Sequence, residues 1–274
     1  MDKVSTFDGL LEVVRDADSV SFGGGGLIRK PMAAAAAIAL SDLQPLSLQS
    51  LLGGPEVDMM IGSGKVRDLH FAYVGLDSVG LAPNFRRARE RDGLDVIEAS
   101  EYLVLAGFEA SARGVPFLPT RSGLGTDVLT RPNTPYRTFN CPLTGELLVA
   151  SPALRPGIAI IHVNMADRSG NALIHGEVFA DFLMARAAAS VWVTTEVLVD
   201  DLPPIDRRPH GTFIPRLFID GVVLSPGGAD FTGIYPDYPV DYAAAEEYRD
   251  SAADPVWLRE YCERTLASCR KAAA

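Results

Sequence analysis

A chain of 274 residues with 47% hydrophobic and 22% charged residues carries enough apolar material for a full core and is excluded from the disordered class. Its 35 acidic against 25 basic side chains give a formal charge of −10, which repels nucleic-acid phosphates and anionic lipid and excludes both as expected partners. Three cysteines, Cys141, Cys262 and Cys269, without metal-ligand spacing, fit reduced thiols in a cytoplasmic protein, and the uncharged stretch from Pro31 to Ser41 is far shorter than the ~20 residues that span a bilayer.

In chain order, Phe7, Leu10, Leu11 and Val14 recur at i, i+3, i+4 and i+7 and predict a first helix, capped by Ser5 or Thr6. Asp18 to Phe22 reads as a short strand that runs into Gly23-Gly24-Gly25-Gly26, after which Pro31 opens an alanine-rich helix to about Leu40. Further strands are expected from Leu46 to Leu52, Leu69 to Val74, Val115 to Leu118, Ile158 to Val163, Val191 to Thr195 and Leu217 to Leu224. Helices are expected near Pro83 to Arg91, Glu101 to Arg113 and Ala180 to Ala189. Thr120 to Ser151 is rich in Pro, Gly and Thr and has little period, as in a long excursion or a small antiparallel flap. A second such segment runs from Asp200 to Pro215. The tail, about 242–274, is helical, with Trp257, Leu258, Tyr261 and Leu266 as docking residues. No internal repeat interrupts the chain, so residues 1–274 are read as one unit. Continuous apolar strands such as Ile158-Ala159-Ile160-Ile161, alternating with helices, predict an α/β fold: an open, mainly parallel sheet with helices on both faces. Ligands of such sheets gather at the carboxyl ends of the strands.

Gly23, Gly24, Gly25 and Gly26 sit where a strand gives way to a helix, a place where backbone N–H groups can serve an anion or a developing oxyanion. A tight turn needs the same residues. The third glycine of the dinucleotide fingerprint would fall on Ile28, and Gly62-Ser63-Gly64-Lys65 is followed by Val66 rather than the Ser/Thr of a phosphate loop; both motifs are excluded. His70, His162, His175 and His210 show no paired spacing, so no metal site is expected. His162, inside an apolar strand, reads as a buried, hydrogen-bonded side chain. No Gly-x-Ser-x-Gly elbow occurs. Glu101 opens a predicted helix after Ser100, where an acid either satisfies the helix dipole or acts as a general base at the sheet's carboxyl edge. Arg121 follows a predicted strand beside Ser122-Gly123-Leu124-Gly125, either as a solvated loop charge or as a ligand for an anion.

Five stretches, in order, resemble the A (α) subunit of class I CoA-transferases of the glutaconate type. They are Gly23 to Gly26 through Arg29-Lys30-Pro31, Gly62 to Val66, Gly114-Val115-Pro116-Phe117-Leu118-Pro119, His162-Val163-Asn164-Met165-Ala166-Asp167 with Gly170-Asn171, and Ser225-Pro226-Gly227-Gly228-Ala229. The resemblance implies an open α/β sheet and a catalytic glutamate carried by a B (β) subunit in a Ser-Glu-Asn-Gly-type motif, which this chain lacks. The chain is then one half of a heterodimer or an α2β2 tetramer. Within the family it is most similar to the A subunits of steroid ring-opening CoA hydrolases. Counting back from Pro116-Phe117, Glu101 falls where those enzymes carry an acidic catalytic residue and transferases carry glutamine. Arg121, within Pro119 to Gly125, matches their arginine. Arg29-Lys30-Pro31-Met32-Ala33, Leu76-Asp77-Ser78 and Pro226 to Thr232 look like that group too, whereas Gly24 to Ile28 and Asn140 to Glu146 depart from it.

Three functions follow from the resemblance. A hydrolase would use Glu101 as base and Arg121 to hold a carboxylate or enolate, with the glycine loop donating to the oxyanion; Arg29, Lys30 and Asn164 would help bind the acyl-CoA. A transferase would form its thioester on the partner subunit. A non-catalytic metabolite-binding subunit is the third. None implies a cofactor beyond the coenzyme A of the substrate.

Overall fold

The first helix forms where its spacing predicts. In the computed structural model, which describes residues 2–203 and 211–273, a short strand β1 (Val4–Ser5) precedes α1 (Phe7–Arg15), which Thr6 caps by accepting the Gly9 N–H at 3.3 Å. There follow β2 (Ser19–Phe22), α2 (Met32–Leu40), β3 (Leu46–Gly53), α3 (Pro55–Gly62), β4 (Val66–Val74), α4 (Pro83–Arg87), β5 (Asp95–Glu98) and α5 (Glu101–Ala112). Then come β6 (Phe117–Thr120), β7 (Arg137–Asn140), β8 (Leu147–Pro152), β9 (Ile158–Asp167), β10 (Ala172–His175), α6 (Asp181–Ala187) and β11 (Ser190–Val199). The chain closes with β12 (Gly211–Ile214), β13 (Gly221–Leu224), α7 (Tyr242–Ser251) and α8 (Pro255–Ala273).

Along the order β1-β13-β11-β9-β2-β3-β4-β5 every pairing is parallel, and β10 and β12 add antiparallel beside β9. This is the open α/β sheet expected from the strand pattern. Successive residues of a strand face opposite sides, and here both sides are buried. Ile158 and Ile160 pack with α1, α2, α3 and α8, while Ala159, Ile161 and Val163 pack with α5 and α6. From β2 the chain passes through β3 to β5 on one side, and later through β9 to β11 on the other. The end of β2 is therefore the switch point at which such sheets take ligands.

Several local expectations change. The Val115 N–H closes α5 on the Ala110 carbonyl at 3.0 Å, so the next strand starts at Phe117 and joins β8 and β7 in a separate three-stranded antiparallel sheet. Of the two readings of Thr120 to Ser151, the flap is the observed one. The chain turns at Arg216 and Leu217, with the Phe218 N–H on the Pro215 carbonyl at 3.0 Å, and only Gly221–Leu224 of this stretch is strand. Residues 204–210, with His210, lie outside the described residues. In the tail, Leu258, Tyr261 and Leu266 are buried, and Trp257 stacks on Tyr261 with ring centroids 5.2 Å apart. Among the described residues no helix is long and apolar enough to cross a membrane.

The flap is clasped to the main sheet by Tyr136, whose hydroxyl lies 2.6 Å from His70 Nε2 on β4. Both are buried, and burial pushes the His70 imidazole down to about 4. The folded chain keeps His70 neutral where the unfolded chain takes up a proton, so stability falls as pH drops from 6.5 toward 4. This one group is expected to cost about 3 kcal/mol over that window. Asp58, pushed up to about 6 by burial, acts in the opposite sense, so the test compares variants. His70→Gln should flatten the fall of Tm with acid; an unchanged slope would refute the assignment.

Candidate active site

At the switch point, the four-glycine loop is closed on itself and on its surroundings. The Gly23 N–H bonds Ile160 O at 2.9 Å, Gly24 bonds Asp181 Oδ1 at 2.9 Å, Gly25 bonds Ile28 O at 3.0 Å and Gly26 bonds Leu52 O at 3.1 Å. Each of the four amides of Gly23, Gly24, Gly25 and Gly26, expected as oxyanion donors, thus has a partner within the chain. Glycine is required all the same. Gly24 and Gly26 have φ of +72° and +55°, and a Cβ on Gly26 would overlap the Asp77 carboxylate.

Arg29 and Lys30 are engaged within the chain as well. Both are buried beneath this loop, at 1% and 0% exposure. Arg29 ion-pairs with Asp181 and donates to the carbonyls of His162 (2.8 Å) and Glu177 (3.0 Å). Lys30 Nζ stands 2.8 Å from Glu56 Oε1 and donates to the carbonyls of Leu52 (2.9 Å), Gly23 (3.2 Å) and Gly24 (3.3 Å). Burial pushes the Glu56 carboxyl above its ordinary range, against the pull of the Lys30 ammonium. The two basic residues hold the loop from below.

Asn164, on β9, is likewise committed within the chain. Its Nδ2 donates to Tyr235 O (2.8 Å) and Asp237 Oδ2 (2.7 Å), and its Oδ1 accepts the His175 N–H (2.8 Å). This pins the loop after β13 onto the sheet and leaves no donor for substrate. His162 is the buried, hydrogen-bonded residue its strand suggests, with Nδ1 2.8 Å from Thr194 Oγ1 and Nε2 2.8 Å from Glu196 Oε1. Glu196 also accepts from the Tyr238 hydroxyl (2.6 Å) and the Gly227 N–H (2.7 Å). Burial works to raise the Glu196 carboxyl, but these hydrogen bonds prevail and hold it below its ordinary range.

The remaining pair is exposed. Ser100 caps α5, its hydroxyl accepting the Leu103 N–H at 3.4 Å, and Glu101 occupies the first turn with its side chain in solvent. The Ser100 hydroxyl also lies 2.6 Å from that of Ser122. This bond draws together the segments that carry Glu101 and Arg121, each one residue before or after its serine. The Arg121 Nε donates to Glu146 Oε1, an ion pair between the end of β6 and the β7–β8 turn. Glu101 follows β5, three strands from β2, about 14 Å at ~4.8 Å per strand. The glycine loop, which reaches Leu52 O on β3 and, through Leu27, the Asp77 carboxylate after β4, and the Glu101 segment both lie at the sheet's carboxyl edge.

Sequence reasoning missed Asp181, Glu56, Asp77 and Glu146. Asp181 and Glu56 each stand in the first turn of a helix, as ordinary dipole-favoured acids do. Nothing local marks them as partners of Arg29 and Lys30. Asp77, whose carboxylate accepts the Leu27 N–H at 2.7 Å, has φ of +49°.

Residues 5–225 match the family model described as Coenzyme A transferase. The chain is 34% identical over 262 residues, 93% of its length and 88% of the other's, to the cholesterol ring-cleaving hydrolase IpdA subunit of Rhodococcus jostii. Among solved structures, glutaconate coenzyme A-transferase from Acidaminococcus fermentans superposes with a TM-score of 0.86 at 27% identity, covering 97% of this chain and 89% of that one. A variant of the decarboxylase AibA/AibB superposes with a TM-score of 0.81 at 28% identity, covering 95% and 98%. With that fold, that extent of match and these relatives, the chain belongs to the coenzyme A transferase family of enzymes.

Proposed function

We propose that this chain is the A subunit of a two-subunit enzyme that opens a ring of a CoA-linked cyclic diketone by hydrolytic carbon–carbon cleavage. The observation that supports the reading is the Ser100–Ser122 hydrogen bond, which ties the segment carrying an exposed acid, Glu101, to the segment carrying an exposed arginine, Arg121. A relative named as a cholesterol ring-cleaving hydrolase subunit supports a steroid-derived substrate.

In this reading Glu101 takes a proton from water, and the hydroxide adds to a ring carbonyl carbon. Collapse of the tetrahedral adduct breaks the bond to the neighbouring carbon, whose electron pair becomes an enolate. The proton returns from Glu101 to that carbon, and the new carboxylic acid releases its remaining water-derived proton to solvent to become a carboxylate. Arg121 holds a carboxylate or enolate of the ligand. The glycine loop has a structural part only, and Glu101, open to solvent here, acts under the cover of a partner subunit. The only cofactor involved is the coenzyme A of the substrate.

The alternative is a CoA-transferase subunit, favoured by the likeness to glutaconate CoA-transferase; this chain would then supply contacts while the partner carries the thioester. The test uses the complex of this chain with its B subunit, expected as an α2β2 tetramer, and a CoA-linked diketone in labelled water. Ring-opened CoA ester with one labelled oxygen should form without any acceptor acid, and the isolated chain should be inactive. A strict need for an acceptor carboxylate would reassign it as a transferase, and full turnover by the chain alone would remove the partner.

A further inference from the structure

The stretch from Asn140 to Glu146, where this chain departs from the steroid hydrolase group, contains the side chain that holds Arg121. Glu146 stands at the end of a tight turn joining β7 to β8. Its carbonyl accepts the Cys141 N–H at 2.7 Å, its N–H reaches Thr144 Oγ1 at 3.4 Å, and the Gly145 N–H bonds Cys141 O at 2.8 Å. Arg121 leaves β6 one residue after Thr120, which pairs with Val149 of β8. The antiparallel register therefore brings the two side chains together from fixed backbones.

The pair is unequal. The Glu146 side chain is 38% exposed and that of Arg121 is 75% exposed, so the acid is the better anchored partner. Only Nε of Arg121 is engaged; among the described residues neither Nη group makes a hydrogen bond. A guanidinium presents its N–H groups as a planar fork that binds a carboxylate at two points. A long side chain on a surface loop loses rotamer freedom when it binds a ligand, and a neighbour that holds it in place beforehand removes part of that cost. The mutual attraction keeps Glu146 below the ordinary carboxylate range, so the anchor stays charged at neutral pH.

We propose that Glu146 is a positioning residue: it holds the Arg121 guanidinium by Nε and leaves both Nη groups to bind a carboxylate of the acyl-CoA substrate beside Glu101. This rests on the reading of Arg121 as a substrate ligand and adds a residue through which that ligand is set. It places the recognition of a substrate carboxylate at the flap.

The experiment measures kcat and KM in the assembled complex for a carboxylate-bearing CoA ester and for a matched ester without the carboxylate. Glu146→Ala should raise KM for the first about two- to fivefold, the worth of one solvent-facing ion pair, with kcat unchanged and no effect on the second. Glu146→Gln, whose amide oxygen can accept the same Nε hydrogen, should keep KM near wild type. An unchanged KM in Glu146→Ala, beside a raised one in Arg121→Ala, overturns the positioning role and leaves the Arg121 reading standing. If Glu146→Gln behaves like Glu146→Ala, or either variant lowers KM, Glu146 acts through its charge and the proposal fails. An unaltered KM in Arg121→Ala overturns the reading of Arg121 itself, and the proposal with it.

Discussion

In the assembled enzyme, Glu101→Gln is expected to lower kcat by about 10² to 10⁴ while KM for the CoA ester changes little. The amide keeps the shape of the side chain and its place in the first turn of α5, but it cannot take a proton from water. Fold stability should hardly move, because Glu101 lies in solvent and an exposed acid in a first helical turn is worth only about 0.3–1 kcal/mol. The two readings of the residue therefore separate cleanly. A dipole-satisfying acid predicts a slightly less stable and fully active enzyme, and a general base predicts a stable and nearly inactive one. The resemblance implies glutamine at this position in transferases, so activity close to wild type in Glu101→Gln would assign the chain to transferase chemistry.

Asp181→Ala is expected to destabilise the chain by about 3–5 kcal/mol, measured by denaturant unfolding. Arg29 and Asp181 are 1% and 0% exposed, and a guanidinium stays charged at any pH a protein survives. Alanine leaves that charge in the interior with only the carbonyls of His162 and Glu177 as acceptors. It also strips the Gly24 N–H of its partner, so the glycine loop loses its tie to α6. Removing both charges should cost less than removing one: Arg29→Met combined with Asp181→Ala should recover part of the loss. A loss below about 1 kcal/mol for Asp181→Ala, or purely additive losses, would show that the pair is not the keystone of the loop.

The sequence by itself determined the α/β class, because that information is local. The run Ile158-Ala159-Ile160-Ile161 is apolar without alternation, which only a strand buried on both faces requires, and β9 is such a strand. The spacing of Phe7, Leu10 and Val14 turned one helix face inward, and all three are buried. Glu101 and Arg121 were legible as candidates through the family motifs around them. The tertiary structure alone decided what the charged residues do. Arg29 and Lys30, next to a glycine loop, are by resemblance expected to help bind the acyl-CoA. Asp181, 152 positions away, and Glu56 convert them into buried struts. Asn164 was turned to the same use by the loop at Tyr235 and Asp237, and Glu146 reached Arg121 across 25 residues through the register of a flap whose first strand began two residues later than its pattern suggested. The reason is one of range. Helix and strand periods are written within about ten neighbouring residues, whereas a charge's partner depends on which distant segments the sheet order brings together, and a cation's chemistry, whether ligand or strut, is set by that partner and by how much water remains around it.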